Sequence, residues 1–243
     1  MRVLVVSDVH ANLPALEAVL AHARGEYDAL WSLGDVVGYG PYPNECIATL
    51  CEHPHSAISG NHDHAVLGRI SLNDFNSDAR QANLWTRDQL DERSRAYLST
   101  LPETMVIDGF TLAHGSPRAP IWEYLLYARN AEESFGHFDT PVCLVGHTHV
   151  PLIFGQGRDG DQVDVLPPHP GLTVQLDEGR YIINPGSVGQ PRDGDPTAAY
   201  LLLETELGTF EHRRVAYDVD AMQTVMRSLG FAPRLIARLS FGW

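Results

Sequence analysis

The chain has 243 residues, 44% of them hydrophobic and 20% charged, with a formal net charge of −14. That length buries a substantial core in one domain, and no run approaches the roughly 18 apolar residues of a membrane helix. The acidic balance speaks against broad nucleic-acid binding, which needs a basic face, and suits an anionic substrate only where cations reverse the local field. Only five residues separate Arg2 from Asp8, too few for the apolar core of a signal peptide, so a cytoplasmic location with no membrane partner is expected. Cys46, Cys51 and Cys143 lack zinc-ribbon or redox spacing and read as reduced, mostly buried thiols.

In chain order, the apolar run at 3–6 predicts a strand buried on both faces. Leu13, Leu16, Leu20 and Ala23 follow at helical spacing, with Asn12 as cap and Pro14 in the first turn. A strand at 29–33, a helix at 44–51 and a strand at 56–59 continue an alternation that predicts a parallel sheet carrying helices. Residues 72–101 are polar and helix-prone, with Leu84, Trp85, Leu90, Leu98 and Leu101 as sparse anchors. They read either as a cap near the active site or as a pair packed outside the sheet. Strands at 105–107 and 110–113 flank a hairpin-type Asp108-Gly109 turn. Further strands are predicted at 142–145 and 150–154, then turn chemistry at 155–160. Strands at 174–176 and 181–183 flank a turn at 177–180, and those at 199–203 and 209–217 pair across 206–208. Val219, Met222, Met226 and Leu229 form a core-facing helical stripe that stops at Gly230. Parallel strands early and antiparallel strands late fit two packed sheets with helices outside, in a single domain over 1–243 with a helical insertion at about 72–101.

Five short blocks close strand-type runs or follow them: Asp8-Val-His10, Gly34-Asp35, Gly60-Asn-His-Asp63, His114-Gly115 and Gly146-His-Thr-His149. Residues past the carboxyl ends of parallel strands face the crevice where α/β folds place ligands. Side chains two apart in extended backbone point the same way, so Asp8 with His10, and His147 with His149, can each face one site. Asp8, His10, Asp35, Asn61, His114, His147 and His149 then form a ligand set of carboxylate, amide oxygen and imidazole. It suits Mn²⁺, Fe or Zn²⁺. A carboxylate has two oxygens, and Asp35 is the candidate to bridge two ions. Such a pair, about 3.5–4 Å apart, holds a shared hydroxide and clamps the attacking and leaving oxygens of an in-line displacement.

The ordered series resembles the calcineurin-like metallophosphoesterase superfamily, whose signature runs D-x-H, G-D, G-N-H-D/E, H and G-H-x-H. GDVVGYGPYPNEC and NPGSVGQPRDGDP resemble its small prokaryotic phosphodiesterase-like branch, and the likeness extends to about Tyr217. The resemblance implies an αββα sandwich, two sheets flanked by helices. It implies Asp8, His10 and His149 at a first metal, Asn61, His114 and His147 at a second, and Asp35 between them. Two divalent ions are implied, Mn foremost, with Fe, Zn, Ni or Co as alternatives. His62 matches the catalytic histidine, which protonates the leaving oxygen or stabilises phosphoryl charge, and Asp63 is placed to hold its other nitrogen. Arg192 is a candidate to bind a substrate phosphate, and Tyr39 to stack on a base or close the pocket. His22, His53, His55, His64, His137, His169 and His212 fall outside the pattern and read as surface or locally satisfied.

The Ser/Thr protein phosphatases of this superfamily carry GDYVDRG, whose arginine grips phosphomonoesters. Here the text is GDVVGYG, which demotes a phosphomonoesterase or protein phosphatase. Hydrolysis of a phosphodiester or nucleotide phosphoanhydride through a bimetal-activated hydroxide is the favoured reading, with a small phosphate ester or nucleotide as substrate. An inactive metal-binding scaffold of the same fold is the alternative, and the intact His62 and ligand set argue against it. The oligomeric state is left open.

Overall fold

The computed structural model describes residues 1–157 and 162–243. Its first half runs β1 (Arg2–Val6), α1 (Leu13–His22), β2 (Ala29–Ser32), α2 (Pro43–Cys51), β3 (His55–Ala57), α3 (Asn61–Val66), α4 (Ser77–Gln89) and α5 (Glu92–Thr100). Then come β4 (Thr104–Ile107), β5 (Phe110–Ala113), α6 (Ala128–Ser134), β6 (Val142–Leu144), β7 (Leu152–Gln156) and β8 (Val163–Leu166). The chain continues with β9 (Thr173–Gln175), β10 (Arg180–Asn184), β11 (Ala198–Glu204), β12 (Thr209–Val215), α7 (Val219–Ser228) and α8 (Pro233–Arg238). Residues 158–160 of the turn expected at 155–160 lie outside the described residues, while Gly155 and Gln156 belong to β7.

The strands form two mixed sheets in the orders β3-β2-β1-β11-β12-β9 and β4-β5-β6-β10-β7-β8. In the first, β1, β2 and β3 are mutually parallel and β11 runs antiparallel to β1. In the second, β5, β6 and β10 are parallel. Alternation along each strand sorts the core into layers. Val3, Val5, Trp31 and Leu201 of the first sheet meet Phe110, Leu112, Leu144 and Ile183 of the second. Leu4, Val6, Leu30 and Tyr200 face the other way, onto Leu16 and Val19 of α1 and Leu50 of α2. On the far side, Cys143 and Ile182 pack with Ala131 of α6 and with Phe135. Helix–sheet–sheet–helix is therefore the layering. Asn12 caps α1 by accepting from Ala15 N–H at 3.3 Å, and Pro14 sits in its first turn.

The structure departs from the sequence expectations in several places. The strands near 174 and 181 join opposite sheets, because β9 pairs with β12 while β10 pairs with β6 and β7. The segment between them is a crossover rather than a hairpin. The sequence pattern predicts none of α3, α6, β8 and α8. The stripe of α7 buries Met222 and Met226, but Leu229 is 46% exposed, since the helix has ended before it.

Both readings of the 72–101 segment hold in part. Leu98 of α5 packs into the layer of α1 and α2, outside the sheet. α4 instead buries Ala79, Ala82, Asn83 and Thr86 and leaves Leu84 41% exposed. Part of this face meets α3, where Asn83 reaches His62, and beside it Arg87 Nη2 donates to Ala65 O at 2.8 Å. Ala79 and Ala82 also meet Met222 of α7 and Leu235 of α8.

Candidate active site

The loops that follow the parallel strands converge, and the backbone there is unusual. Eight non-glycine residues among those described have positive φ. They include Asp8 (53°), His10 (49°), Asp35 (52°), Tyr39 (58°), His147 (65°) and His149 (61°). Each left-handed residue of this kind costs about 1–3 kcal/mol and persists only where its surroundings hold it. Asp8 and His10, like His147 and His149, thus face one site through left-handed turns and not through the extended backbone expected of them. Neighbouring loops do the holding. Ser187 Oγ donates to Asp8 O at 2.8 Å, and Gly189 N–H to the same carbonyl at 3.0 Å. Asn184 Nδ2 donates to Gly146 O at 2.6 Å and to Thr148 Oγ1 at 3.0 Å. Gly60 approaches Asp35 so closely that a Cβ there would lie 2.1 Å from Asp35 Oδ1.

Three overlapping groups of donors form around two carboxylates. Asp8, His10 and His149 come together, as do Asp35, His114 and His147, and a third group joins His10, Asp35 and His62. Asp35 Oδ2 lies 3.6 Å from His10 Nε2 and 3.3 Å from His114 Nε2. Asp8 Oδ1 lies 3.2 Å from His149 Nε2, and Asn61 Oδ1 3.2 Å from His114 Nε2. All of these side chains are buried.

The outer partners leave one atom of each donor for an ion. Oδ2 of Asp8 accepts from Ser7 Oγ at 2.6 Å and from His147 N–H at 3.0 Å, while its buried Oδ1 has no hydrogen-bond partner. Four imidazoles each face a backbone carbonyl through one nitrogen. His10 Nδ1 meets Val37 O (3.1 Å), His114 Nδ1 Leu33 O (2.8 Å), His149 Nδ1 Gln190 O (2.6 Å) and His147 Nε2 Trp122 O (3.2 Å). In the neutral ring, donating there fixes the tautomer and leaves the opposite nitrogen as a lone pair, the usual arrangement behind a metal-binding histidine. The residues fit a pair of divalent ions.

Electrostatics in the metal-free chain agree with that donor set. Burial opposes ionisation of Asp8, but His149 and His114 outweigh it and hold the carboxyl below its usual range. Asp35 is likewise held low against burial, chiefly by His114 and His62. Burial, reinforced by His114, pushes His147 down to about 3, and burial with Arg192 pushes His149 down to about 4. His114 is the exception: burial opposes its charge, yet Asp35 raises it to about 9. Near neutral pH it therefore carries a proton that an ion binding there would have to displace. Metal loading is expected to release about one proton per His114, and affinity should rise up to about tenfold per pH unit until pH passes about 9. Calorimetry in buffers of different ionisation enthalpy measures this directly. A buffer-independent heat near neutrality would refute it.

His62 and Asp63 are consecutive in α3, and neighbours on a helix do not face each other. Asp63 consequently does not hold the His62 ring, contrary to the sequence expectation. Its oxygens accept from Gly60 N–H (2.9 Å) and Val37 N–H (3.2 Å), so it secures the turn that opens α3. Burial and the nearby Asp35 push its carboxyl upward. His62 Nδ1 instead meets Asn83 Oδ1 of α4 at 2.9 Å. Burial lowers the His62 pKa, with Asp35 opposing. No motif flags Asn83, and only tertiary packing brings it there.

A cavity of about 220 Å³ opens on this cluster, lined by Asp35, Asn61, His62, His147, His149, Arg192, Tyr39, Phe75, Trp122 and Tyr124 among others. Tyr39 is buried, its ring 4.7 Å from His10 and 4.4 Å from His62, so it walls the pocket. Arg192 lies over Tyr39 at 5.9 Å; its Nη2 donates to Gln190 Oε1 at 3.1 Å, and its buried Nε has no partner. The remaining histidines stay apart from the donor groups. His22, His53 and His55 meet the hydroxyls of Tyr200, Tyr27 and Tyr97, His64 meets Ser59 Oγ, and His212 meets Pro185 O. His137 and His169 are exposed.

The signature of the calcineurin-like phosphoesterase superfamily domain matches residues 1–208. The chain is 36% identical over 223 residues to an uncharacterised protein of Methanocaldococcus jannaschii, covering 89% of this chain and 88% of that one. Its fold matches the crystal structure of a metallophosphoesterase from Sphaerobacter thermophilus with a TM-score of 0.91 at 48% identity, covering 100% and 99% of the two chains. A hypothetical protein from Pyrococcus horikoshii shares the fold with a TM-score of 0.78 at 20% identity, over 100% and 98%. The chain belongs to the calcineurin-like phosphoesterase superfamily, hydrolases of phosphoester bonds that use divalent metal ions. Among the described residues, no helix is long and apolar enough to cross a membrane.

Proposed function

We propose that this chain hydrolyses phosphodiesters or nucleotide phosphoanhydrides at a two-metal centre, working as one catalytic domain in the cytoplasm. The observation that carries the reading is Asp35 Oδ2, shared between the His10 side and the His114 side of the cluster. Asp8, His10 and His149 would hold one ion and Asn61, His114 and His147 the other, with Asp35 between them. Two divalent ions there, Mn²⁺ foremost, would supply Lewis acidity and an activated water-derived nucleophile.

The chain's own groups do the rest. Nδ1 of His62 is engaged by Asn83, so Nε2 is the atom left to hand a proton to the leaving oxygen. Arg192, on the cavity wall, would donate to a phosphoryl oxygen through its guanidinium. Tyr39 occupies the position of the phosphatase arginine and presents an aromatic wall instead of a second guanidinium. A diester has one charge fewer than a monoester dianion and suits that wall better. A larger hollow of about 660 Å³ shares Trp122 with the site and is walled by Ile70, Leu101 and Ile121, room for the organic part of an ester.

A matrix of metals against aryl diesters, monoesters and dinucleoside polyphosphates tests this. Diesters or dinucleotides should turn over with Mn²⁺ faster than the matched monoesters. Faster monoester turnover would overturn the diester assignment, and no turnover with any metal would overturn the activity.

A further inference from the structure

His62 differs from the other histidines of the site in what holds it. Those four face backbone carbonyls, whereas His62 faces the side chain of Asn83, which can be replaced without rebuilding a loop. Asn83 is fully buried, and its Nδ2 has no hydrogen-bond partner. A buried amide with an unpaired N–H donor is a stability liability, and an apolar residue of the same shape would serve packing better. The room for the contact comes from Gly38. At φ +87° it has a conformation that L side chains rarely adopt, and a Cβ there would lie 2.5 Å from His62 Nδ1 and 3.0 Å from Asn83 Oδ1. Arg87, one helical turn further along, pins α4 to α3 through Ala65 O.

We propose that Asn83 is a positioning residue for His62: its amide oxygen, in the space left by Gly38, holds the proton on Nδ1 and aims Nε2 at the phosphoryl site. The helical insertion thereby completes the catalytic apparatus, and does more than cover it. Only the role of His62 as proton carrier rests on the function proposed above. A neutral amide accepts from Nδ1 whether or not Nε2 holds a proton, so the ring keeps its direction while Nε2 takes up and releases one.

Two measurements test the inference. In metal-free protein, ¹⁵N NMR of the imidazoles, assigned with His62→Ala, should show His62 protonated at Nδ1. Asn83→Leu should shift it toward a tautomer mixture, with Tm unchanged or higher. In loaded enzyme, Asn83→Leu should lower kcat about 10–100-fold on a diester with a poor alkoxide leaving group, with KM nearly unchanged. The loss should be several-fold smaller on a nitrophenyl diester, whose leaving group needs no proton. Asn83→Asp, which keeps the acceptor, should recover most of the rate, and Gly38→Ala should reproduce the loss. An unaltered His62 spectrum in Asn83→Leu overturns the proposal, as does equal slowing on both esters. A shifted spectrum in a protein that hydrolyses no ester would refute the activity and leave the positioning role standing.

Discussion

Replacing His62 by Ala is expected to lower kcat on phosphodiesters about 10²–10⁴-fold, the usual contribution of a positioned proton donor. The loss should come without loss of metal. His62 packs 4.9 Å from His10 and its backbone N–H donates to Asp35 Oδ1 at 2.8 Å, but that second contact survives truncation of the side chain. Metal content by elemental analysis should therefore match the parent while turnover falls. The effect should be steepest for poor leaving groups. A variant that loses a metal together with its activity would make His62 a ligand, which the grouping of His62 with His10 and Asp35 allows geometrically. The hydrogen bond to Asn83 argues against it, because it leaves the ring one nitrogen for both tasks.

Asp35→Ala should have the other large effect, on binding before catalysis. One oxygen of Asp35 stands between His10 and His114. Removing it takes away the oxygen that faces both sides of the cluster and the counter-charge that raises the His114 pKa. Asp35→Ala is expected to retain neither ion after dialysis, with activity at background. His149→Ala, which touches only the group with Asp8 and His10, should weaken one ion and spare the other. Metal counting on the two variants decides the matter, and two ions retained by Asp35→Ala would refute the bridging role.

Much of the site is legible in the primary structure because its donors lie in short blocks tied to buried strands. A run such as residues 3–6 announces both its conformation and the edge at which the next polar residue emerges. Legibility ended where function depends on contacts between distant elements. Asn83 reaches His62 only because α4 packs beside α3, and nothing local to Asn83 records that. Asp63 misled for a complementary reason: adjacency in sequence suggests partnership, whereas a helix turns adjacent side chains apart. The separation of β9 and β10 into opposite sheets was equally hidden, since turn residues at 177–180 serve a crossover as readily as a hairpin. Extended backbone would bring Asp8 and His10 to one site, and they meet there by another geometry.

That geometry bears on which amino acids the site can employ. Asp, Asn and His are the non-glycine residues that accept left-handed backbone most readily. Asp8, His10, Asp35, His147 and His149 all occupy it. In the proposed centre the alphabet of ligands is thus filtered twice, once by coordination chemistry and once by the Ramachandran map. Glycine would relieve the backbone but bring no donor atom. Glutamate and cysteine bring donors, yet as substitutes they would meet a conformational toll that a coordination argument alone overlooks. Attempts to retune the metal preference of this centre should therefore succeed more readily at Asn61 and His114, which lie outside the left-handed set, than at the five positions within it.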